Sequence, residues 1–431
     1  MSRRKIIQVE ERVPLSQGIP LSIQHTFAMF SASVLVPWLF GISPAIVLFM
    51  NGIGTLIFIL ITKGRAPAYL GSSFAFLSPT FIILANPNMG YRYALGGFVC
   101  AGLVFCLAAI LIRIFGTRWI DALLPPAAMG PVVALIGLEL SGTAAKSGGL
   151  IPDPDSGYLQ LDPKMVLVFI VTLAIAVFGS VLFRNFFAAI PILMAIIIGY
   201  ILALSLGMVN FDAVKEAPLA ALPNFAFPIF DPTAILIILP ATLVVISEHI
   251  GHQVVTGEIV GRDLLRDPGL HRSLFADGIS TTLSGLCGSV PTTTYGENIG
   301  VMAVTRVYSV WVIGGAGVFS IILAFIAPAS ALIQTIPGPV MGGISFLLYG
   351  MIAVSGLRLL VDKRVNYGRS RNLALSAVVL VTGLSGAFIQ IGEVKLTGMA
   401  LATVTGMILS LIFFAIDKLN LANDADESDT I

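Results

Sequence analysis

Long apolar stretches follow one another almost without interruption from residue 20 to residue 416, and that succession limits what the chain can become. A helix needs about 20 mostly apolar residues to cross a bilayer. Candidate spans fall at 20–40, 44–62, 67–85, 92–114, 125–145, 163–183, 187–207, 231–258, 272–288, 291–305, 308–327, 331–357, 371–389 and 395–416, fourteen in all. Three of them, 67–85, 272–288 and 291–305, are short or polar for that task. Only 11% of the 431 residues are charged and 57% are hydrophobic, against about 25% charged in soluble domains. The fold class is therefore an all-α polytopic membrane protein, with the lipid bilayer as its solvent. A net charge of +1 gives no basis for binding nucleic acid. Cys100, Cys106 and Cys287 sit in apolar surroundings, with no spacing for a metal or a disulfide framework. The basic start Met1–Lys5 ahead of an apolar run has the outline of a signal peptide. That run contains Gln24 and His25 and precedes many more spans, so it reads as a first transmembrane helix.

Charge gives an independent check on the count, because Lys and Arg collect on the cytoplasmic side. With the N-terminus inside, 19 of the 24 Lys and Arg fall in cytoplasmic segments, among them Arg12, Arg65, Arg113, Arg184, Arg262, Arg306 and Lys418. The remaining 5 are Arg92, Lys146, Lys164, Lys215 and Lys395. A missed or extra span would scramble this partition, so the even count stands and both ends are expected in the cytoplasm. The acidic tail within 419–431 reads as disordered. The outer segments 146–163 and 208–230 are rich in Pro, Asp and Gly and read as loops.

Two of the weak spans echo each other. APAYLGSSFAFLSPT (66–80) and SVPTTTYGENIGVMAVT (289–305) both pass from a Pro through small hydroxyl residues and an aromatic before turning helix-like. They lie seven spans apart, as do Gln24-His25 in the first span and Glu248-His249 in the eighth. Seven is odd, so the second half enters the membrane from the other side, which is the trace of two inverted seven-span repeats. Irregular backbone at bilayer depth is costly unless it lines a cavity or pairs within protein. Two extended stretches can pair as short antiparallel strands in spans 3 and 10. The helix after each would aim its positive N-terminus at the middle of the membrane. Phe74 and Gly296 fall near those junctions, where free N–H groups can meet carbonyl oxygens of a solute.

Ionisable residues inside spans are functional candidates: Glu139, Glu248, Glu297, His25, His249 and His252. Glu248 and His252 are four apart and share a helix face, while His249 turns about 100° away to pack on another helix. A Glu–His pair can simply lock helix packing. A second carboxylate, Glu297 in the tenth span, favours a solute site. Glu297 can also act as a plain N-terminal helix cap. Asn298 reads as structural within the site, and Thr305-Arg306 as the cytoplasmic end of the tenth span. His25 with Gln24 supports the site from behind, and Glu139 reads as an interfacial or helix contact. Two carboxylates that accept and backbone amides that donate suit a small planar ring with alternating donors and acceptors, such as uracil. Phe74, Tyr295 or Tyr349 can supply a ring face or edge. Concentrating a neutral solute needs a co-transported ion. A charged carboxylate out of water is costly, so Glu248, with His252 nearby and Glu297 opposite, is the natural proton carrier.

The motifs QHTFAMF (24–30), PAYLGSSFAF (67–76), SEHIGH (247–252), LRDPGLHRS (265–273) and TTYGENIGVMAVTR (293–306) resemble the nucleobase–ascorbate transporter family, in the branch that carries uracil with a proton. The resemblance covers about residues 3–416 and finds no departure at these motifs. It implies a core domain at 1–122 and 231–329 and a gate domain at 123–230 and 330–418. It implies that Glu248 and Glu297 bind ring N–H groups, that the backbone of Phe74 and Gly296 meets ring carbonyls, and that His252, Tyr295, Tyr349 and Ala32 surround the ring, with Gln24, His25, Ser72 and Asn298 in support. It further implies alternating access in the cytoplasmic membrane of a bacterium, no cofactor beyond the proton, and a dimer through the gate side. Purine carriers of the family commonly have Gln where Glu297 stands, which favours a pyrimidine. The rival on the same scaffold is a xanthine or urate permease. An anion exchanger would want positive charge where two glutamates stand. An intramembrane metalloenzyme would want more ligands than His249 and His252 beside Glu248 offer.

Overall fold

The computed structural model describes residues 6–152, 161–184, 187–391, 394–419 and 421. The basic start at 1–5, part of the outer loop 146–163 and all of the acidic tail except Leu419 and Leu421 lie outside the described residues. The first half contains α1 (Leu15–Phe40), α2 (Pro44–Ile61), β1 (Leu70–Ser72), a 3-10 turn at Phe74–Phe76, α3 (Leu77–Leu84), α4 (Tyr91–Phe115), α5 (Arg118–Leu123), α6 (Pro126–Ser147), α7 (Pro163–Leu182) and α8 (Pro191–Ser205). After a short α9 (Asp212–Glu216) come α10 (Pro232–Val260), α11 (Leu270–Cys287), β2 (Thr292–Thr294), α12 (Gly296–Thr305), α13 (Val310–Phe325), α14 (Ala327–Gln334), α15 (Gly338–Asp362) and α16 (Ser370–Leu384). A hairpin of β3 (Phe388–Ile391) and β4 (Val394–Thr397) leads into α17 (Gly398–Lys418).

Among the described residues, 8 helices are long and apolar enough to cross a membrane, or 9 if α13 and α14, bent by 84°, count as one span. Prolines set many of the starts. Pro44, Pro126, Pro163, Pro191 and Pro232 all sit in the first turn of their helices, where a missing N–H leaves no bond unmade. Asp162 and Asp231 cap two of these, α7 and α10, through their side chains, onto the N–H groups of Lys164 and Ala234.

Three boundaries stand out against the sequence expectation. The span placed at 371–389 ends at Leu384, and the one placed at 395–416 starts at Gly398, because the chain between them is a hairpin. Gly386 turns the chain with φ +72, and the β-branched and aromatic residues Phe388, Ile389 and Thr397 favour extended backbone. The span placed at 331–357 begins only at Gly338, since α14 ends at Gln334 and Pro337 precedes the new helix.

Helix pairings repeat between the halves. α4 packs on α11 and α2 on α13; α1 packs on α13 and α10 on α4. α7 packs on α8 and α16 on α17; α7 meets α15 and α16 meets α6; and α6 lies along α15. Exchanging α1, α2, α4, α6, α7 and α8 with α10, α11, α13, α15, α16 and α17 turns this set of pairs into itself. The close crossings repeat as well. A Cβ on Gly102 of α4 would sit 2.7 Å from the carbonyl oxygen of Gly278 on α11, and one on Gly278 2.8 Å from that of Gly102. In the matching crossing, a side chain on Gly52 of α2 would overlap the carbonyl of Gly317 on α13. Lipid offers apolar contacts as good as leucine, so helices in a bilayer gain by letting backbones approach at small residues.

Candidate solute site at two half-helices

The centre of the molecule is where the chain stops being helix. β1 and β2 pair antiparallel, with Leu70 opposite Thr294, Gly71 opposite Thr293 and Ser72 opposite Thr292. The ladder continues by one bond at each end, from Ser73 N–H to the Pro291 carbonyl (2.9 Å) and from Tyr295 N–H to the Tyr69 carbonyl (3.2 Å). A two-stranded sheet has two open edges, and two threonines from neighbouring helices serve them. Leu70 N–H donates to Thr55 Oγ1 on α2 (3.0 Å), and Thr292 N–H donates to Thr281 Oγ1 on α11 (3.2 Å). Thr281 in turn donates to the Thr292 carbonyl (2.8 Å). Backbone polar groups are thus paired at a depth where no water is at hand.

Each strand runs straight into a helix start. β1 gives way to the turn at Phe74 and then α3, and β2 gives way to α12 at Gly296. The first N–H groups of such helices have no partner within the helix, and they carry the positive end of its dipole. Glu297 lies in the first turn of α12. It lines a cavity of about 230 Å³ together with Ala28, Ile192, Gly300, Val301 and Val304.

From the other direction α10 brings Glu248 and His252, both half-buried. Glu297 and Asp277 lie within electrostatic reach of Glu248. His252 Nδ1 is 3.1 Å from Thr294 Oγ1, and a Cβ on Gly296 would sit 3.3 Å from His252 Nε2. The ring of Tyr295 lies against Gly71, where even a methyl would overlap it. His25 on α1 meets Asn298 at 3.2 Å through Nδ1 and Oδ1. Among the described residues, His25 Nε2 and Asn298 Nδ2 at this junction are buried without a hydrogen-bond partner, and the Tyr295 hydroxyl faces the Ser72 and Ser33 hydroxyls. Buried polar groups are nearly always paired, so such a junction marks a place able to bind a polar solute.

The other candidate residues are placed as follows. Ala32 on α1 belongs to the buried cluster that holds Tyr69 and Tyr295. Tyr349 on α15 is 1% exposed and belongs to the second cluster. Phe74 packs against both clusters. Gln24 is buried on α1. The C-terminal cap of α12 is Arg306 in a left-handed conformation.

Sequence reasoning passed over Asp277. It is fully buried on α11, with Oδ2 2.8 Å from His249 Nδ1 and 3.2 Å from Thr293 Oγ1. His249 Nε2 reaches Ser273 Oγ at 2.9 Å. His249 therefore turns away from the face of Glu248 and His252 and ties α10 to α11 behind β2. A carboxylate in the middle of SLFADGIST was the available signal.

Paired half-helices meeting in a chain of membrane-crossing helices define a polytopic membrane transporter. The solved structures it resembles agree at the level of fold. The transmembrane domain of the cyanobacterial bicarbonate transporter BicA superposes with a TM-score of 0.60 at 16% identity, over 96% of this chain and 99% of that one. SLC26A9 superposes with a TM-score of 0.67 at 9% identity, over 94% of this chain and 66% of that one. The chain belongs to the Permease family, whose model matches residues 16–392, and is accordingly a transporter and not an enzyme. It is 55% identical to the uracil permease of Paenibacillus larvae subsp. larvae over 97% of this chain and 99% of the relative. It is 54% identical to that of Escherichia coli K12 over 99% of both, and 48% identical to that of Bacillus subtilis over 96% of both.

Proposed function

We propose that the chain carries uracil, together with a proton, across the cytoplasmic membrane of a bacterium. The observation that carries this reading is the convergence of two glutamates, Glu248 within α10 and Glu297 in the first turn of the half-helix α12. Full-length relatives named uracil permease support the choice of solute. Uracil offers two N–H donors and two carbonyl acceptors. Glu248 and Glu297 take the donors; the backbone N–H groups at Phe74 and Gly296 take the carbonyls. His252, Tyr295, Tyr349 and Ala32 close around the ring, and Gln24, His25, Ser72 and Asn298 hold the frame. Glu248 carries the proton inward with the base, and its release in the cytoplasm weakens the hold on the ring.

Transport follows by alternating access. Fourteen segments form two inverted repeats, a reading supported by the exchange symmetry of the helix pairings. A core of 1–122 and 231–329 moves against a gate of 123–230 and 330–418, with both ends in the cytoplasm and two copies joined through their gates. The cavity at Glu297 is lined by Ile192 and by Val304, two residues before Arg306 at the end of α12, which the charge distribution assigns to the cytoplasm. On this reading the cavity opens to the cytoplasm. Uptake of radiolabelled uracil into proteoliposomes with an imposed inward proton gradient tests the reading. Accumulation that collapses with the gradient and that excess xanthine does not inhibit is expected. Accumulation without the gradient, or of xanthine instead, contradicts it.

A further inference from the structure

On the far side of the site from the open cavity, one carboxylate joins three segments. Glu139 on α6 accepts a hydrogen bond from Ser78 Oγ on α3 (2.8 Å) through Oε1, and another from the Met399 backbone N–H at the start of α17 (3.0 Å) through Oε2. Gly398, with φ +53, makes the approach possible, since a side chain there would overlap the carboxylate. The position is telling. α3 is the helix that continues the half-site from Phe74, whereas α6 and α17, which it touches, belong to the other packing group, in which α6 contacts α15, α16 and α17 and α16 contacts α17. Lys146 in the last turn of α6, Arg92 in the first turn of α4 and Lys395 in β4 before α17 are among the few basic residues assigned to the outside.

We infer that Glu139, Ser78 and the Met399 amide form an outer latch. It ties the half-site helix to the gate and keeps the outer path shut while the cytoplasmic cavity is open. The inference rests on the alternating-access reading above. If α3 moves with the core and α6 and α17 stay with the gate, the Ser78–Glu139 bond must break on each cycle. The Met399–Glu139 bond, which lies within the gate, persists. Losing a single hydrogen bond of this kind changes a two-state ratio by roughly 2- to 10-fold.

The test needs no substrate, so its failure is separable from failure of the uracil reading, which uptake by the wild type decides. Cys100, Cys106 and Cys287 are replaced by serine, and Val304, which lines the inner cavity, becomes the single reporter cysteine. Ser78→Ala is compared with its parent for the rate of labelling by a hydrophilic maleimide in detergent, and both are followed by thermal unfolding. The latch predicts labelling slowed about twofold or more in Ser78→Ala with little change in Tm. It also predicts that Glu139→Gln, which keeps an oxygen for Met399 and an amide for Ser78, stays close to the parent. Labelling that is unchanged or faster in Ser78→Ala, or a fall in Tm alone, overturns the latch and leaves a static helix contact.

Discussion

His252 Nδ1 lies 3.1 Å from Thr294 Oγ1, and this contact joins the helix that carries Glu248 to the strand that leads into Glu297. The same hydroxyl stands 3.5 Å from His249 Nδ1. Thr294 thus sits between the two histidines and sets the angle at which α10 presents its polar face. The strand is not only a spacer between helices; its side chains hold the neighbouring helix in register with the backbone amides beyond it.

Replacing Thr294 by valine keeps the shape and removes the hydroxyl. Uracil affinity should fall about fivefold, the loss expected for one neutral hydrogen bond of about 1 kcal/mol. Calorimetric titration of the purified variant measures this, and an unchanged Kd would show that the contact does not bear on the site.

The buried Asp277–His249 pair should matter mostly for stability. Removing one partner of such a pair leaves an uncompensated group and costs about 3–5 kcal/mol. Asp277→Ala is therefore expected to unfold at a clearly lower temperature or to be poorly recovered from membranes. Asp277→Asn, which keeps the shape and one acceptor, should lie between it and the wild type. A Tm equal to that of the wild type in both variants would remove the structural role.

Gly71 is required by the ring of Tyr295, which occupies the space a side chain would take. Overpacking typically costs about 1–3 kcal/mol, and here it would push Tyr295 off the strand pair. Gly71→Ala should lose uracil uptake with near-normal expression. Gly71→Ala with Tyr295→Phe should not restore it, because the ring and not the hydroxyl makes the clash.

A strap outside the membrane gives a pH-dependent expectation. Residues 7–9 lie along 306–310, with Ile7 N–H donating to the Arg306 carbonyl (3.1 Å), Tyr308 N–H to that of Ile7 (2.9 Å) and Val310 N–H to that of Val9 (2.9 Å). Glu10 grips Arg262 at the end of α10 with both carboxylate oxygens, at 2.5 and 2.7 Å. The Arg262 hydrogen bond holds the Glu10 carboxyl below its usual value. A depressed carboxylate adds stability above its unfolded pKa and loses it as pH falls through the folded one. The pair is largely exposed and contributes modestly. Hydrogen exchange at Tyr308 and Val310 should rise as pH drops below about 4.5, after correction for the intrinsic rate, and should already be raised at neutral pH in Glu10→Gln. Equal protection in both proteins across that range would detach the strap from the ion pair.

Much of this arrangement could be read from residues alone, for reasons that are local. Pro, Gly, Ser and Thr at 67–73 and 289–294 cannot make a good membrane helix, and those stretches are where β1 and β2 lie. Glu248 and His252 share a face by spacing alone. What escaped reading depends on partners far along the chain. Thr55 and Thr281 look like bland small residues within apolar helices, yet they cover the open edges of the sheet. Asp277 takes its meaning from His249, 28 residues earlier, and from Thr293 in the strand. The hairpin at 388–397 escaped because its apolar residues continue the hydropathy of the helices on either side, and period-2 alternation over four residues is too short to separate from a helix end.

The central claim is that two glutamates, Glu248 on α10 and Glu297 on α12, hold the base. The most direct measurement is uracil binding by calorimetry to detergent-purified wild type, Glu248→Ala and Glu297→Gln, each first shown to be folded by its unfolding transition. Hydrogen bonds to charged groups are worth about 1.5–3 kcal/mol, so each variant should bind at least about tenfold more weakly than the wild type. Wild-type affinity retained in both folded variants, or no uracil binding by the wild type, would contradict the account.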